Sequence, residues 1–190
     1  MKNYAHALMV IMMLGYPLAG ITHHEGCEGC HGANGVSQMP TVPTIGGISA
    51  GVHADTLIMY RDGVLPCTGA PLRTAMCGSV AALGDEAIEE VANHFAALPF
   101  VPAKQKFDAD KAASGEAVHK QSCEICHTNG GSDPAADASI LAGQWMEYLR
   151  IVIGEYAAGE REQSPVMEGM IKQLTADQIE ALLHFYASQQ

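Results

Sequence analysis

The strongest constraint on this chain is a pentapeptide that occurs twice. Residues 27–31 read CEGCH and residues 123–127 read CEICH, 96 positions apart. The same shift aligns pairs of residues beyond the motif: Gly47 with Gly143, Tyr60 with Tyr156 and Gly63 with Gly159. A chain that repeats one plan over this distance is expected to fold as two similar domains.

Further along the chain, the offset between the two copies falls to 91. The pairs aligned at this offset are Met76 with Met167, Leu83 with Leu174, Ile88 with Ile179 and Phe95 with Tyr186. The first copy therefore carries a five-residue insertion between Gly63 and Met76.

Prolines and polar residues mark the junction of the copies, in the segment LPFVPAKQKFDAD. We expect domain one over residues 21–100, a linker over 101–107 and domain two over 108–190. Residues 1–20 are expected to be a signal peptide cleaved near its end. An early lysine precedes an apolar run that is shorter than the roughly 20 residues a spanning helix needs, and small residues follow. Such a leader indicates a periplasmic protein in an oxidising compartment.

Helical patterns dominate the chain, and strand signals are sparse. The segment GDEAIEEVANHFAAL has apolar residues at helical spacing, and its counterpart LTADQIEALLHFYASQQ opens with a capping-box pattern at Thr175 and Gln178. AGQWMEYLRIVIGEYAAG and ADKAASGEAVHKQ are further helix candidates, and the latter leads into the second motif. The expected fold class is all-α.

Composition limits the classes of function. The 190-residue chain has a formal net charge of -11 with only ten Lys and Arg, which argues against a direct role on nucleic acid or an anionic membrane surface. Aromatic residues make up only 6 % of a chain that is 48 % apolar. A large prosthetic group would supply apolar volume that aromatic side chains do not.

The Cys-x-x-Cys-His run serves several chemistries. A zinc ribbon brings two Cys-x-x-Cys knuckles within roughly 15 to 20 residues, and a thioredoxin-like dithiol needs an adjacent strand-helix-strand pattern. Neither fits, and covalent haem c remains, in which both thiols add to vinyl groups and the following histidine binds iron. We therefore expect two haem c groups. The expected anchors are Cys27, Cys30, Cys123 and Cys126, and the expected proximal iron ligands are His31 and His127.

Each iron also needs a sixth ligand or an open position. Met76 and Met167 stand at equivalent places in the two copies, so we expect them to be the distal ligands. A thioether opposite an imidazole raises the haem potential. Met170 is the alternative in domain two because it lies one helical turn away, and plain core packing is the alternative for any of these methionines.

Two cysteines belong to neither motif. Cys67 lies in or beside the insertion and Cys77 directly follows Met76. In an oxidising compartment we expect a disulfide between them that pins the loop with the sixth ligand. Two free buried thiols are the alternative.

Two histidines lie close to the expected mature N-terminus. Cleavage after Gly20 would leave Ile-Thr-His, whose amine, amides and imidazole suit Cu(II) in a tetragonal site. His23 and His24 are therefore candidate copper residues, and the plainer alternative is two solvated histidines beside the first haem.

With both motifs, both methionines and a helix after each, the chain resembles dihaem cytochromes built from two class I cytochrome c domains. The segments ILAGQWMEYL, GEREQSPVMEGMIKQL and FYASQQ, with PAKQKFD in the linker, are similar to the cytochrome subunits of flavocytochrome c sulfide dehydrogenases. The resemblance covers nearly all of the mature chain and is loosest over residues 64–74. It implies two tandem class I cytochrome c domains, each wrapped around one covalent haem c.

In class I domains a proline after the motif supplies a carbonyl that orients the proximal histidine. Pro43 fits this role in domain one. A shift of 96 places Ser139 at the equivalent position of domain two. The sequence therefore does not identify the carbonyl that accepts the hydrogen bond of His127.

The resemblance also implies a heterodimer with a larger FAD-bearing subunit that oxidises sulfide. This chain would be the haem subunit of that enzyme and would pass electrons to a soluble acceptor such as a small cytochrome c. Flavin catalysis would lie on the partner, because no glycine-rich dinucleotide fingerprint is present here. No catalytic residue, nucleic-acid partner or membrane span is expected in this chain.

Two alternatives remain at the level of sequence. The first is a free periplasmic dihaem carrier that uses the same ligands without a flavoprotein. The second is a haem enzyme with an open sixth position, of a peroxidase or thiosulfate-oxidising type, against which the two methionines in register argue.

Overall fold

The computed structural model describes residues 23–68, 71–136 and 138–190. The expected signal peptide, residues 1–20, lies outside these ranges. Across the described ranges all regular structure is helical, with no strand, which confirms the expected all-α class. None of the helices in these ranges is long and apolar enough to cross a membrane.

The α-helices follow one another in two similar series. They are α1 (Glu25–His31), α2 (Ala50–Arg61), α3 (Pro71–Val80), α4 (Asp85–Ala96), α5 (Ala109–Ser122), α6 (Thr128–Gly131), α7 (Met146–Ala158), α8 (Pro165–Ile171) and α9 (Ala176–Ser188). Helix α7 starts 96 positions after α2, and α9 starts 91 positions after α4. The helices therefore keep the register that the sequence repeat predicts.

Local sequence explains where these helices begin. Thr175 and Gln178 form the predicted capping box of α9, with both reciprocal hydrogen bonds present. Asp108 caps α5 by accepting from two main-chain N–H groups, and Ser164 caps α8, whose first residue is Pro165.

Each series of helices encloses its own apolar core. The first core consists of Leu57, Val80, Ile88, Val91 and Phe95. The second consists of Leu149, Leu182, Leu183, Phe185 and Tyr186. Phe95 and Tyr186, which the repeat aligns, are 0 % and 1 % exposed. Both domains are therefore built on the last helix of their series.

A glycine in the left-handed region connects each post-motif loop to this last helix. Gly47 donates its N–H to the Phe95 carbonyl, and Gly143 donates to the Tyr186 carbonyl, both at 2.8 Å. Their φ angles are 79° and 72°. A Cβ at Gly47 would lie 2.4 Å from Phe100 N, so a larger residue would be both strained and crowded.

Candidate functional site

The first motif lies on α1 and the turn that follows it. Cys27 is half-buried and Cys30 exposed, and neither is in a disulfide. His31 is buried, and its Nδ1 lies 2.9 Å from the carbonyl oxygen of Pro43, which accepts the ring proton. Pro43 thus occupies the place expected for it. The contact fixes the tautomer and leaves Nε2 as the nitrogen for a metal.

The second motif follows directly on α5. Cys123 is half-buried and Cys126 exposed, and both are free of disulfides. His127 Nδ1 lies 3.1 Å from the main-chain carbonyl of Ser139. The proline of the first domain is therefore not required here, because the acceptor is a backbone oxygen that any residue carries.

The protonation states suit this geometry. Burial lowers the pKa of His31 and of His127 below the usual histidine range, and each hydrogen bond to a carbonyl only partly opposes that shift. Both rings are therefore neutral near pH 7, the form that binds metals. Burial also raises the pKa of Cys27 and Cys123, so these thiols are protonated, unlike the thiolates of zinc sites and reactive dithiols.

The candidate distal methionines lie on the helix that precedes the last one of each series. Met76 on α3 is half-buried and packs against the first core. Met167 on α8 is half-buried, whereas Met170 is 39 % exposed. The two candidates in domain two thus differ in burial, and the ligand assignments of all three methionines stay predictions.

Cys67 and Cys77 are joined by a disulfide. The bond links the segment before α3 to α3 itself, and Met76 lies next to the bonded Cys77. The disulfide therefore closes the segment between Cys67 and Cys77, in the region of the insertion, into a covalent loop.

A buried charged cluster joins the two domains. Arg73, within the disulfide loop, forms an ion pair with Glu155 of α7, and Arg161 Nη1 lies 3.5 Å from the same carboxylate. The three side chains are between 7 % and 12 % exposed. Arg161 also stacks on the rings of Tyr60 and Tyr156, at 5.8 Å and 5.4 Å, residues that the repeat places in register.

Two nitrogen atoms of this cluster lack hydrogen-bond partners within the described ranges and so bear on whether a haem group fits here. The Nε atoms of Arg73 and Arg161 are buried and have no hydrogen-bond partner among the described residues. A buried guanidinium N–H without an acceptor is costly, and a carboxylate is its natural partner. A haem carries two propionate carboxylates, so the cluster fits such a group, and so do the free thiols and oriented histidines of the motifs.

Main-chain groups of the first domain meet side chains of the second. Gln144 exchanges two hydrogen bonds with the backbone of Thr44, each of 2.9 Å. Trp145 Nε1 donates to the Ser37 carbonyl over 3.0 Å. The loop after the first motif is therefore held from the other domain.

The two candidate copper histidines take part in other contacts. His23 Nδ1 lies 3.0 Å from Glu90, and the His24 ring stacks on His94 with centroids 3.6 Å apart. Across the described residues, no group of three or more His, Cys, Asp and Glu side chains is placed to hold a metal ion. The copper interpretation also involves residues 21 and 22, which lie outside the described ranges, and it stays a prediction.

Sequence reasoning missed His119, which is fully buried on α5. Its Nδ1 lies 2.9 Å from the Tyr186 hydroxyl and its Nε2 lies 2.6 Å from Glu124, which also accepts from the main chain at Asn129. The sequence held a signal, since His119 and Glu124 stand 96 positions after His23 and Glu28. This network supports the turn that carries the second motif.

Gln144 and the arginines of the interface were missed as well. Gln144 is 1 % exposed and stands where the first repeat has Ile48. A polar residue at a position that is apolar in the other copy is the available signal. Arg73 lies between Gly63 and Met76, the region that contains the insertion, so the repeat could not indicate its partner.

The comparisons with known proteins agree with this architecture. No protein-family model matches the chain. The thiosulfate dehydrogenase electron acceptor of Thiomonas intermedia (strain K12) is 42 % identical over 67 residues, which is 35 % of this chain. The chain matches only 30 % of that relative's length.

Solved structures resemble the chain over most of its length. Cytochrome c4 of Acidithiobacillus ferrooxidans has a TM-score of 0.73 at 22 % identity, over 86 % of this chain and 99 % of that one. Cytochrome c4 of Pseudomonas stutzeri has a TM-score of 0.74 at 23 % identity, over 87 % and 94 %. Thiosulfate dehydrogenase (TsdBA) of Marichromatium purpuratum has a TM-score of 0.72 at 25 % identity, over 86 % of this chain and 36 % of that one.

These likenesses establish the fold. The likeness to the two cytochromes c4 extends over 86 % and 87 % of this chain, so it includes both series of helices. The expectation of two tandem class I cytochrome c domains is confirmed. The chain therefore has the two-domain fold of a cytochrome c, and that fold implies covalently attached haem c.

Proposed function

We propose that this chain is a dihaem electron-transfer protein that accepts electrons from an enzyme oxidising a reduced sulfur compound. One observation carries the proposal. Each domain pairs two free cysteines with a histidine whose Nδ1 is held by a main-chain carbonyl, at 2.9 Å for His31 and 3.1 Å for His127. Haem c bound at both places supplies two one-electron couples in one chain.

The residues of the chain have distinct roles in this proposal. The cysteines of both motifs anchor the groups covalently, and the carbonyls of Pro43 and Ser139 hold the proximal rings in one tautomer. Met76 and Met167 would supply the remaining iron ligands, and both centres would then be closed to other ligands. A haem whose iron has no open position would supply one-electron transfer without binding substrate, which suits a carrier.

The partner we propose is the FAD-containing subunit of a sulfide dehydrogenase, with this chain as the haem subunit of a heterodimer. The similarity of the second domain and linker to such cytochrome subunits supports this choice. Sulfide gives two electrons to flavin and each centre here takes one, so two centres can drain one reduced flavin. A small soluble cytochrome c is the proposed final acceptor.

The periplasm is the proposed location. The disulfide between Cys67 and Cys77 supports an oxidising compartment, since such bonds persist outside the reducing cytosol. The apolar N-terminal segment of the sequence supports export in the same way.

A second candidate partner oxidises thiosulfate. The relative from Thiomonas intermedia is described as an electron acceptor of thiosulfate dehydrogenase, and a thiosulfate dehydrogenase from Marichromatium purpuratum shares the fold. In this candidate function the residues and centres of the present chain are the same, and only the donor differs. A free dihaem carrier without a fixed partner is the remaining alternative.

Purification of the intact protein from its native host, with any bound partner, tests these functions. We expect two haem c per chain by pyridine haemochrome assay, a co-purifying flavin spectrum, and reduction of the haems when sulfide is added. Reduction by thiosulfate without flavin would favour the second candidate. Two haems with no partner and no response to either compound would leave the free carrier, and a chain without covalent haem would refute the whole proposal.

Paired methionine variants test the ligand assignment in domain two. Met167→Leu should remove the red-edge charge-transfer band of one ferric Met-ligated haem and lower one midpoint potential, because the thioether is lost. Met170→Leu is the matched control on the same helix and should change neither. The opposite pattern would assign Met170 as the ligand.

A further inference from the structure

The amide of Gln144 holds one particular peptide unit of the first domain. Its Oε1 accepts from Thr44 N at 2.9 Å, and its Nε2 donates to Thr44 O at 2.9 Å. Thr44 is 0 % exposed and Gln144 is 1 % exposed, so water does not compete for these bonds. Both partners are main-chain atoms of fixed polarity, and this determines which way the amide points.

The N–H of Thr44 belongs to the same peptide plane as the carbonyl of Pro43. That carbonyl accepts the ring proton of His31 over 2.9 Å. A continuous chain therefore runs from the His31 ring through one planar peptide to Gln144 Oε1. Because the peptide is rigid, fixing its N–H also fixes the direction of its carbonyl oxygen.

Hydrogen bonds in such a chain polarise one another. An acceptor on the N–H of a peptide increases the negative charge on its oxygen, and a stronger oxygen acceptor draws the Nδ1 proton of the histidine more firmly. The ring then becomes a better electron donor through Nε2, as expected for a residue that supports a metal-ligating histidine. An electron-rich ring stabilises ferric over ferrous iron and lowers the potential.

Among the described residues, no side chain of the first domain gives the second domain an equivalent support. The peptide that serves His127 joins Ser139 to Ile140, and the position equivalent to Gln144 in the first repeat is Ile48, which has no amide. The main chain of Gln144 is itself held by the linker, because Gln105 Nε2 donates to its carbonyl over 2.7 Å. The coupling between the domains is therefore one-sided.

We propose that Gln144 is a positioning residue through which the second domain sets the orientation and electron-donating strength of His31, and thereby the potential of the first haem alone. This inference rests on the proposed function insofar as His31 must bind a haem iron. According to this inference, the domain interface contributes to the difference between the midpoint potentials of two otherwise similar haems.

Spectroelectrochemical titration of the intact dihaem protein tests this inference. In Gln144→Leu one midpoint potential should rise while the other stays at its wild-type value. Thr44→Val is the matched control, because it removes the hydroxyl that accepts from Ser37 N at 3.2 Å and leaves both hydrogen bonds between the Thr44 backbone and Gln144 in place. It should shift neither potential, although it too perturbs the same buried loop.

Two results would overturn the inference: both potentials unchanged in Gln144→Leu, or both shifted equally. If that variant does not fold, proton exchange in the wild-type protein decides, since the Nδ1 proton of His31 should exchange more slowly than that of His127. Equal exchange of the two protons would then refute the role of Gln144. A chain that carries no covalent haem would instead refute the proposed function, so the two failures are distinguishable.

Discussion

Removing the disulfide between Cys67 and Cys77 should loosen the interface between the domains as well as the loop that it closes. The bond joins residues 10 positions apart, and loop-closure entropy over that length corresponds to about 2.7 kcal/mol of stability. Arg73 lies inside this loop and pairs with the buried Glu155 of the other domain. A double Cys67→Ser, Cys77→Ser variant should therefore lose the entropic contribution and part of the ion pair.

The size of the second effect follows from the charges in the cluster. Removing one partner of a buried ion pair costs about 3–5 kcal/mol when the other is left uncompensated. Glu155 keeps Arg161 at 3.5 Å after Arg73→Met, so we expect a smaller loss of about 1–3 kcal/mol. If the disulfide positions Arg73, this loss should shrink by about 1 kcal/mol when the cysteines are already serines.

The test is a double-mutant cycle of the wild-type protein, the double serine variant, Arg73→Met and the combination of both changes. Urea denaturation of the haem-loaded proteins, followed by Soret absorbance and far-UV circular dichroism, measures the free energy of unfolding of all four. The red-edge band of ferric haem reports in parallel on Met76, which is next to Cys77. Equal cost of Arg73→Met with and without the disulfide would show that bond and ion pair act independently, and the reasoning would fail. Wild-type stability of the double serine variant would refute it entirely.

Two further predictions concern packing and pH. A Cβ at Gly115 would lie 2.1 Å from the Ala181 carbonyl oxygen, so Gly115→Ala should lower the free energy of unfolding by at least about 2 kcal/mol. Helical Gly154 has no atom within 4 Å of its Cβ position, so Gly154→Ala should raise the free energy of unfolding by up to about 1 kcal/mol. Equal effects of the two variants in urea denaturation would contradict this. Burial lowers the pKa of His53 from 6.5 to about 4, so below pH 6.5 the unfolded chain binds a proton that the folded chain does not. The contribution of His53 to the free energy of unfolding should therefore be fully present above pH 6.5, and the free energy should fall by up to about 3 kcal/mol as the pH drops to 4. His53→Leu, which introduces the residue found at position 149 of the other repeat, should flatten this pH dependence in thermal melts recorded at several pH values.

The parts of the fold that repeat could be predicted from the sequence. The correspondence of α2 with α7 and of α4 with α9 follows from aligning the sequence with itself at offsets of 96 and 91. This works because duplicated domains keep the residues of their core positions and their turn glycines. Gly47 and Gly143 are such positions, and they carry the same hydrogen bond. The candidate anchors and proximal histidines were predictable for the same reason.

The contacts between the domains could not be predicted in this way. Arg73 meets Glu155 across a boundary that no periodicity describes, and its residue type alone does not say which acid it will find. Gln144 differs from Ile48 in the other copy, yet only the structure shows that its amide reaches the backbone of Thr44. The repeat predicts what the two domains share, whereas Arg73 and Gln144 are interface residues in which the two copies differ.

Across the described residues, the loop after the first motif forms its hydrogen bonds to the second domain through backbone atoms. These atoms are the Ser37 carbonyl, the Pro40 carbonyl and both polar groups of the Thr44 backbone. Gln144 and Trp145 meet them with side chains, and Tyr148 donates its main-chain N–H to Pro40. Substitution along that loop can therefore leave these hydrogen bonds in place, whereas three of them depend on the identity of Gln144 and Trp145. A chimera that takes its second domain from a cytochrome lacking this glutamine and tryptophan would keep both folds and lose the three side-chain hydrogen bonds that hold this loop.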